Sequence, residues 1–279
     1  MMQKRKLSII IPTGNRVDII EDCLKSCRWA DELIVVDSFS TDGTLDVARQ
    51  YADRILQHEY INSASQKNWA IPQAAHEWVM IVDTDERITD ELRQEVCQVL
   101  NSDSSDVGYR IPRINYMLGK SIMNGGYYPD YQTRLFKRDQ GRYELRCVHA
   151  HVLLDGLCGT LQSPLIHYAH RSIDQTTNNL LILMTRWEAE QRVHEAIQIG
   201  KSPTSHLLIN LLLRPAAAFI LRYFRLGGWR EGYRGIVLSL LWAMYICITY
   251  MRVWENRLPL SEKWWHESWT DLNEHDNGK

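Results

Sequence analysis

Three carboxylates, Asp83, Asp85 and Glu86, stand within four positions directly after the apolar run of "EWVMIV". Like charges repel and desolvating them is costly, so this spacing calls for positive charge close by. Side chains alternate along an extended backbone, so Asp83 and Asp85 can point the same way. Two carboxylates at a strand end make half a site for Mg2+ or Mn2+, which fill their remaining positions with water and phosphate oxygens. A cation bridging a diphosphate would stabilise the charge growing on a departing nucleotide diphosphate. Two further polar clusters also follow apolar runs. Thr13, Asn15 and Arg16 come after "LSIIIP", and Asp37, Ser38, Ser40 and Asp42 come after "LIVV".

The elements that must position these clusters alternate in type. Apolar runs at 7–11, 33–36, 54–57 and 78–82 read as buried strands. Helical spacing connects them over 18–27, 44–51, 63–75 (serines capping its start, an irregularity at Pro72) and 88–100, where Thr89, Asp90 and Glu91 suit a helix N-terminus. Gly43 supplies the turn after the second strand. Strands alternating with helices predict an α/β fold with a parallel sheet, and such sheets bind ligands beyond the carboxyl ends of their strands.

The chain has 279 residues, suiting one large domain or a domain with an appendage, and its net charge of −2 gives no reason to expect nucleic acid. Six scattered cysteines without a CxxC pair read as reduced thiols of a cytoplasmic protein. The apolar part of "MMQKRKLSIIIPTGNR" stops at Pro12, short of the roughly 7–15 residues of a signal-peptide core. Residues 1–170 and 171–279 differ in character. The second region is helical in pattern and very apolar. Between Arg214 and Arg252 its charges are arginines apart from Glu231, and it is rich in tryptophan (Trp229, Trp242, Trp254, Trp264, Trp265, Trp269). Arg234 and Arg252 enclose 17 uncharged residues, the bottom of the range for a spanning helix, about 17–25. Arginines for anionic headgroups and interfacial tryptophans predict a segment lying in a membrane surface rather than crossing it.

The motifs "SIIIPTGNR", "ELIVVDSFSTDGT", "SASQKNWAI", "WVMIVDTDERI" and "GGYYPDYQTRLFKRDQGRYELRCVHAHV", in that order, cover most of 7–170. The chain resembles a family 2 glycosyltransferase of GT-A (Rossmann-like) fold, and within it the lipopolysaccharide core β-1,4-glucosyltransferases of Gram-negative bacteria, which share the arginine- and tryptophan-rich C-terminal region. The resemblance implies transfer of a sugar, glucose in that subgroup, from a UDP-sugar donor with inversion, to a lipid-anchored saccharide acceptor, the heptose of the inner core. It implies a peripheral or monotopic enzyme at the cytoplasmic face of the inner membrane. Thr13 and Asn15 then lie where the family contacts uridine, Asp37 where it holds base or ribose, and Gln66 and Lys67 face the donor. Asp83 contacts ribose or cation, Asp85 ligates the cation, and His167 or His170 is a further ligand. Asp130 and Arg134 line the acceptor or donor-sugar side, and Tyr127, Tyr128 and Tyr131 are candidates to stack on sugars.

One position departs from that subgroup. It reads Val-His-Glu where this chain has "VHAHV", and the glutamate, its expected general base, is here Ala150. Inversion needs a group to remove the acceptor hydroxyl's proton. Asp130 and His149 are the expected substitutes, with His151 also open. The alternatives are a polyprenyl-linked or capsule-precursor acceptor, or a disabled protein that binds a nucleotide sugar without transferring it. A nucleotidyltransferase would carry a glycine-rich phosphate loop where "PTGNR" has one glycine.

Overall fold

The computed structural model describes residues 5–146, 150–202, 204 and 206–256. The expected apolar runs become β1 (Leu7–Thr13), β2 (Glu32–Asp37), β3 (Arg54–Gln57) and β4 (Trp78–Ile81), all parallel, in the order β3-β2-β1-β4. They are interleaved with α1 (Ile20–Cys27), α2 (Thr44–Ala48) and α3 (Ser63–Ala70). Apolar residues run without alternation in β1, β2 and β4 because both sheet faces are covered. Leu7, Ile9, Ile11, Leu33 and Val35 pack on one side with Ile20, Cys23 and Leu24 of α1. Ile10, Ile34, Val36, Val79 and Ile81 pack on the other with Ala64 and Ala70 of α3. The cap of α3 is Asn62, whose Oδ1 accepts from Ser65 N at 2.9 Å, rather than a serine, and the helix gives way to a tight 3-10 turn at Ile71–Gln73, around Pro72.

The sheet is mixed rather than parallel throughout. After β5 (Glu86–Ile88), α4 (Asp90–Leu100), β6 (Gly108–Met117), β7 (Lys120–Ile122) and β8 (Asp130–Lys137) come β9 (Gly141–Tyr143), β10 (Val152–Leu154), β11 (Cys158–Thr160) and β12 (Leu165–His170). The sheet continues β4-β8-β6-β12-β5, with β8 antiparallel to β4 and β6, β12 parallel to β6, and β5 antiparallel to β12. In β6 and β8 the residues Arg110, Arg113, Asn115 and Arg134 interrupt the apolar positions, so no continuous apolar run marks these strands.

The chain divides into two compact units. Of the described residues, the first runs to Thr177 and takes in Ile220–Ser239, and the second comprises Asn178–Phe219 and those from Leu240 to Asn256. In the first unit, Met117 and Ile122 pack with Leu238. There a helix-starting turn approaches a 3-10 turn so closely that a Cβ on Gly235 would lie 1.8 Å from the Gly228 carbonyl oxygen. The helices after the sheet are α5 (Ile173–Thr176), α6 (Thr185–Gln198), α7 (Arg214–Ile220) and α8 (Tyr233–Glu255). Within the second unit, Arg192 and Arg214 both donate to the Tyr250 hydroxyl, at 3.3 and 2.5 Å, and Arg192 pairs with Glu188 at 2.8 Å. Of the described helices, α8 is long and apolar enough to cross a membrane by length and composition. Trp264, Trp265 and Trp269 lie outside the described residues.

Candidate active site

The carboxyl ends of β1, β2 and β4 open into a cavity of about 590 Å3, lined by Thr13, Asn15, Arg16, Ser38, Tyr60, Ser63, Gln66, Asp83, Asp85 and His167 among others. That volume lies within the roughly 300–1,000 Å3 of small-molecule sites. Thr13 Oγ1 is buried there without a hydrogen-bond partner among the described residues. Asn15 takes a positive φ of 51° and braces the rim. Its Oδ1 accepts from Thr41 N at 2.8 Å and its own N–H donates to Ser40 Oγ at 2.8 Å. Gln66 donates to Ser38 Oγ at 2.6 Å. The Arg16 side chain is exposed at the mouth.

Asp37 is buried behind this wall rather than lining the cavity. Its carboxylate accepts from Ser40 N at 3.0 Å, the Ser40 hydroxyl, and Gln57 Nε2 at 3.2 Å. In this arrangement it shapes the 38–41 loop.

The charges that the sequence demands beside the three carboxylates come mostly from the protein. Lys67 Nζ lies 2.8 Å from Asp83 Oδ1, and Arg134 Nη2 2.6 Å from Asp83 Oδ2. Arg134 also reaches Glu86 Oε1 at 2.5 Å, and Arg113 Nη1 reaches the same oxygen at 3.0 Å. Arg113 then holds Asp130 Oδ2 through Nη2 at 2.7 Å and Nε at 3.0 Å. A line of alternating sign results: Lys67, Asp83, Arg134, Glu86, Arg113, Asp130. Burial would raise the Asp83 carboxyl's pKa, but Arg134 and Lys67 hold it far below the ordinary range. Each Asp83 oxygen thus already faces a protein cation, Lys67 on one side and Arg134 on the other, while the residue still lines the cavity.

Asp85 stands outside that line. Its Oδ1 lies 3.7 Å from His167 Nε2. The pairing of β5 with β12 sets this approach, with Glu86 opposite His167 and Tyr168 N donating to Asp85 O at 2.8 Å. Asn115 orients the ring. Its Nδ2 donates to Tyr127 O at 3.0 Å and Asp130 Oδ2 at 3.2 Å, so Oδ1 is the atom facing His167 Nδ1 at 2.6 Å. The Nδ1 proton then points to Asn115, and in the neutral ring Nε2 presents a lone pair to Asp85. A carboxylate oxygen and an imidazole nitrogen facing each other at 3.7 Å have room for a proton on Nε2 or for a bridging cation between them. Among the described residues no group of three or more His, Cys, Asp or Glu could hold a metal by itself. Two protein ligands with phosphate oxygens completing the shell fit Mg2+ or Mn2+. His170 is largely buried, which pushes its pKa down, and its Nδ1 has no partner among the described residues.

Asp130 is a poor candidate for the base. Burial would raise its pKa, but Arg113, Gln132 and Asn115 hold it below the ordinary range, and a carboxylate so held accepts a proton reluctantly. His149, the other candidate, lies outside the described residues. His151 is exposed, and its N–H donates to Glu144 Oε1 at 2.9 Å. Ala150 packs against the apolar cluster of Ile10, Val79, Phe136 and Tyr143. Tyr127 lies under the Arg222 guanidinium, 4.8 Å from its ring centroid, a packing role; Tyr131 is exposed. Arg113 and Asn115 escaped the reading of residues. Their signal is the two-residue spacing of polar groups inside "RIPRINYM".

The sequence profile described as Glycosyl transferase family 2 matches residues 8–167, more than half of the chain, and takes in every cavity-lining residue named above. The chain belongs to glycosyl transferase family 2. It is similar to the lipopolysaccharide core biosynthesis glycosyltransferase LpsC of Rhizobium meliloti, at 28% identity over 262 residues, 91% of this chain and 94% of the relative. An uncharacterized glycosyltransferase of Rickettsia bellii is 25% identical over 255 residues, 86% of this chain and 83% of its own length. Among solved structures, a mannosyltransferase of Pyrobaculum calidifontis in complex with GDP-Man and Mn2+ aligns with a TM-score of 0.56 at 17% identity. The alignment covers 92% of this chain and 89% of that one. That likeness bears on the fold, which is GT-A. This family 2 member is a glycosyltransferase.

Proposed function

We propose that this glycosyltransferase moves a sugar, glucose, from a UDP-sugar to a lipid-anchored glycan, the heptose of a lipopolysaccharide inner core, with inversion and with Mg2+ or Mn2+. The observation that carries the metal-dependent reading is the Asp85–His167 pair in the cavity lining, 3.7 Å apart, with no lysine or arginine in an ion pair with Asp85 among the described residues. The similarity to LpsC over nearly its full length supports the acceptor class. A bound cation would offset the charge developing on the departing diphosphate. Thr13 Oγ1, Asn15 and Gln66 line the wall that would hold the nucleoside. Lys67 and Arg134 keep Asp83 ionised and fixed, so it can accept from a ribose hydroxyl. Asn115 keeps the His167 lone pair aimed at the cavity. The apolar C-terminal region supports work at the cytoplasmic face of the inner membrane, where enzyme and acceptor meet in two dimensions.

A second reading has one observation in its favour. Ala150 stands where the resembling subgroup has glutamate, so a protein that binds the donor without transferring the sugar fits the chain as well. Nucleotide release from a panel of UDP-sugars tests both, with and without Mn2+ or Mg2+ and a core-oligosaccharide acceptor. Metal-dependent release from one donor, stimulated by the acceptor, is expected. Donor binding without release by the chain, with release gained by Ala150→Glu, would select the second reading. Release indifferent to metal would refute the cation assignment.

A further inference from the structure

We propose that the stretch Ile220–Ile236, carried by the same compact unit as the active site, is the docking surface for an anionic phospholipid headgroup layer. The proposal rests on the reading that this enzyme works at a membrane, and it narrows the point of attachment from the whole C-terminal region to the part carried by the catalytic unit. Three observations support it. The first is exposure: Phe224, Leu226, Trp229 and Tyr233 are 60%, 42%, 54% and 93% exposed within ten positions. A run of large apolar and aromatic side chains in water marks an interaction surface, and tryptophan and tyrosine suit the headgroup level.

The second is charge. Arg225, Arg230 and Arg234 are exposed, and Glu231 is the only acidic residue from Lys201 to Trp254. Glu231 faces inward. Its Oε1 accepts from Met123 N at 3.1 Å, Asn124 N at 3.0 Å and Asn124 Nδ2 at 2.7 Å, and its Oε2 lies 3.5 Å from Lys120 Nζ. The stretch therefore presents cations alone to the outside, which complements an anionic lipid surface and disfavours a second copy of the same arginine-bearing face.

The third is attachment to the active-site scaffold. Arg222 Nη1 donates to Gly125 O at 2.7 Å, Gly125 N donates to Leu226 O at 2.8 Å, and Arg234 Nε donates to Leu118 O at 2.9 Å. The 118–127 segment so held, which includes β7, ends at Tyr127, whose carbonyl accepts from Asn115, the residue that orients His167. Docking of this surface thereby fixes how the cavity faces the membrane, and with it the direction from which a lipid-borne acceptor arrives.

Co-sedimentation of the full chain with vesicles of phosphatidylcholine, with and without phosphatidylglycerol, tests this in the absence of donor and acceptor. Phe224→Ser with Trp229→Ser is expected to weaken binding at least roughly tenfold, from the apolar burial lost. Arg225→Gln with Arg230→Gln is expected to weaken binding to phosphatidylglycerol vesicles roughly fivefold per arginine and to leave binding to pure phosphatidylcholine unchanged. Met251→Ser with Trp254→Ser, at comparably exposed positions of the second unit, is the control and should bind as the parent does. The proposal is overturned if the parent chain stays in the supernatant, if the control pair alone loses binding, or if sedimentation velocity shows a dimer that Phe224→Ser with Trp229→Ser dissolves. Nucleotide release by the same variants in solution reads the transferase assignment separately, because none of these residues lines the cavity.

Discussion

Replacing Glu86 by glutamine removes one negative charge from the centre of the ion-pair line while keeping the shape of the side chain. Glu86 is fully buried, and it serves Arg134 at 2.5 Å, Arg113 at 3.0 Å and the Asp83 backbone N–H at 3.0 Å. Removing one partner of a buried ion pair costs about 3–5 kcal/mol. Here Arg134 keeps Asp83 and Arg113 keeps Asp130, so the lower end applies, about 3 kcal/mol. That is a loss of roughly two powers of ten in the folded-to-unfolded ratio, and roughly 6–12 °C in Tm for a domain of this size. Equilibrium urea unfolding measures it directly, and a cycle with Arg113→Met measures the coupling, which should be well away from additive. A loss under about 1 kcal/mol, or additive losses, would refute the claim that Glu86 ties the two arginines together.

Asp85→Asn should reduce metal-stimulated turnover at least about a hundredfold without lowering Tm, since among the described residues no lysine or arginine forms an ion pair with Asp85; turnover near that of the parent would refute its role as ligand. Asn115→Leu should raise the half-saturating Mn2+ concentration roughly 10–100-fold by releasing the His167 tautomer, which a metal titration of nucleotide release would read. Because folded Asp83 binds its proton less readily than the unfolded residue, the unfolded chain takes up more protons in acid. The Asp83 contribution is thus complete above the unfolded value, about 3.8, and is lost as pH falls below it. Urea midpoints measured down that range should fall more steeply for the parent than for Asp83→Asn, and parallel curves would contradict the ion-pair assignment. Gly235→Ala should destabilise by about 1–3 kcal/mol because the added carbon meets backbone that cannot swing aside; an unchanged Tm would show that the two turns are not so tightly apposed.

What was legible in the sequence and what was not follow from the kind of signal each element carries. The strands of the first half, buried on both faces, leave uninterrupted apolar runs, and the helices between them keep their spacing and caps. The clusters at Thr13, Asp83 and Asp85 were visible because polar residues end those runs abruptly. β6 and β8 were not, because Arg113, Asn115 and Arg134 occupy strand positions that would ordinarily be apolar. The neutralising partners of Asp83 and Glu86 lie tens of residues away, and only the sheet order brings them near. Asp37 carries a role that its type and place in the chain did not suggest: its side chain braces the neighbouring turn.

The Asp85–His167 pair is built by main-chain pairing, since β5 and β12 meet with Glu86 opposite His167. A shift of one residue in that pairing would exchange the faces of all side chains on β12 and put Ile166 or Tyr168 where His167 stands. The site thus tolerates very unequal kinds of genetic change. Single-codon insertions or deletions between Ile88 and Leu165 can be absorbed where the chain loops outside the strands, whereas one placed inside either strand disables the pair at a stroke. A library of in-frame indels scored for metal-stimulated activity would therefore mark both short strands as intolerant, along with β6 and β8, and the loops between the strands as permissive.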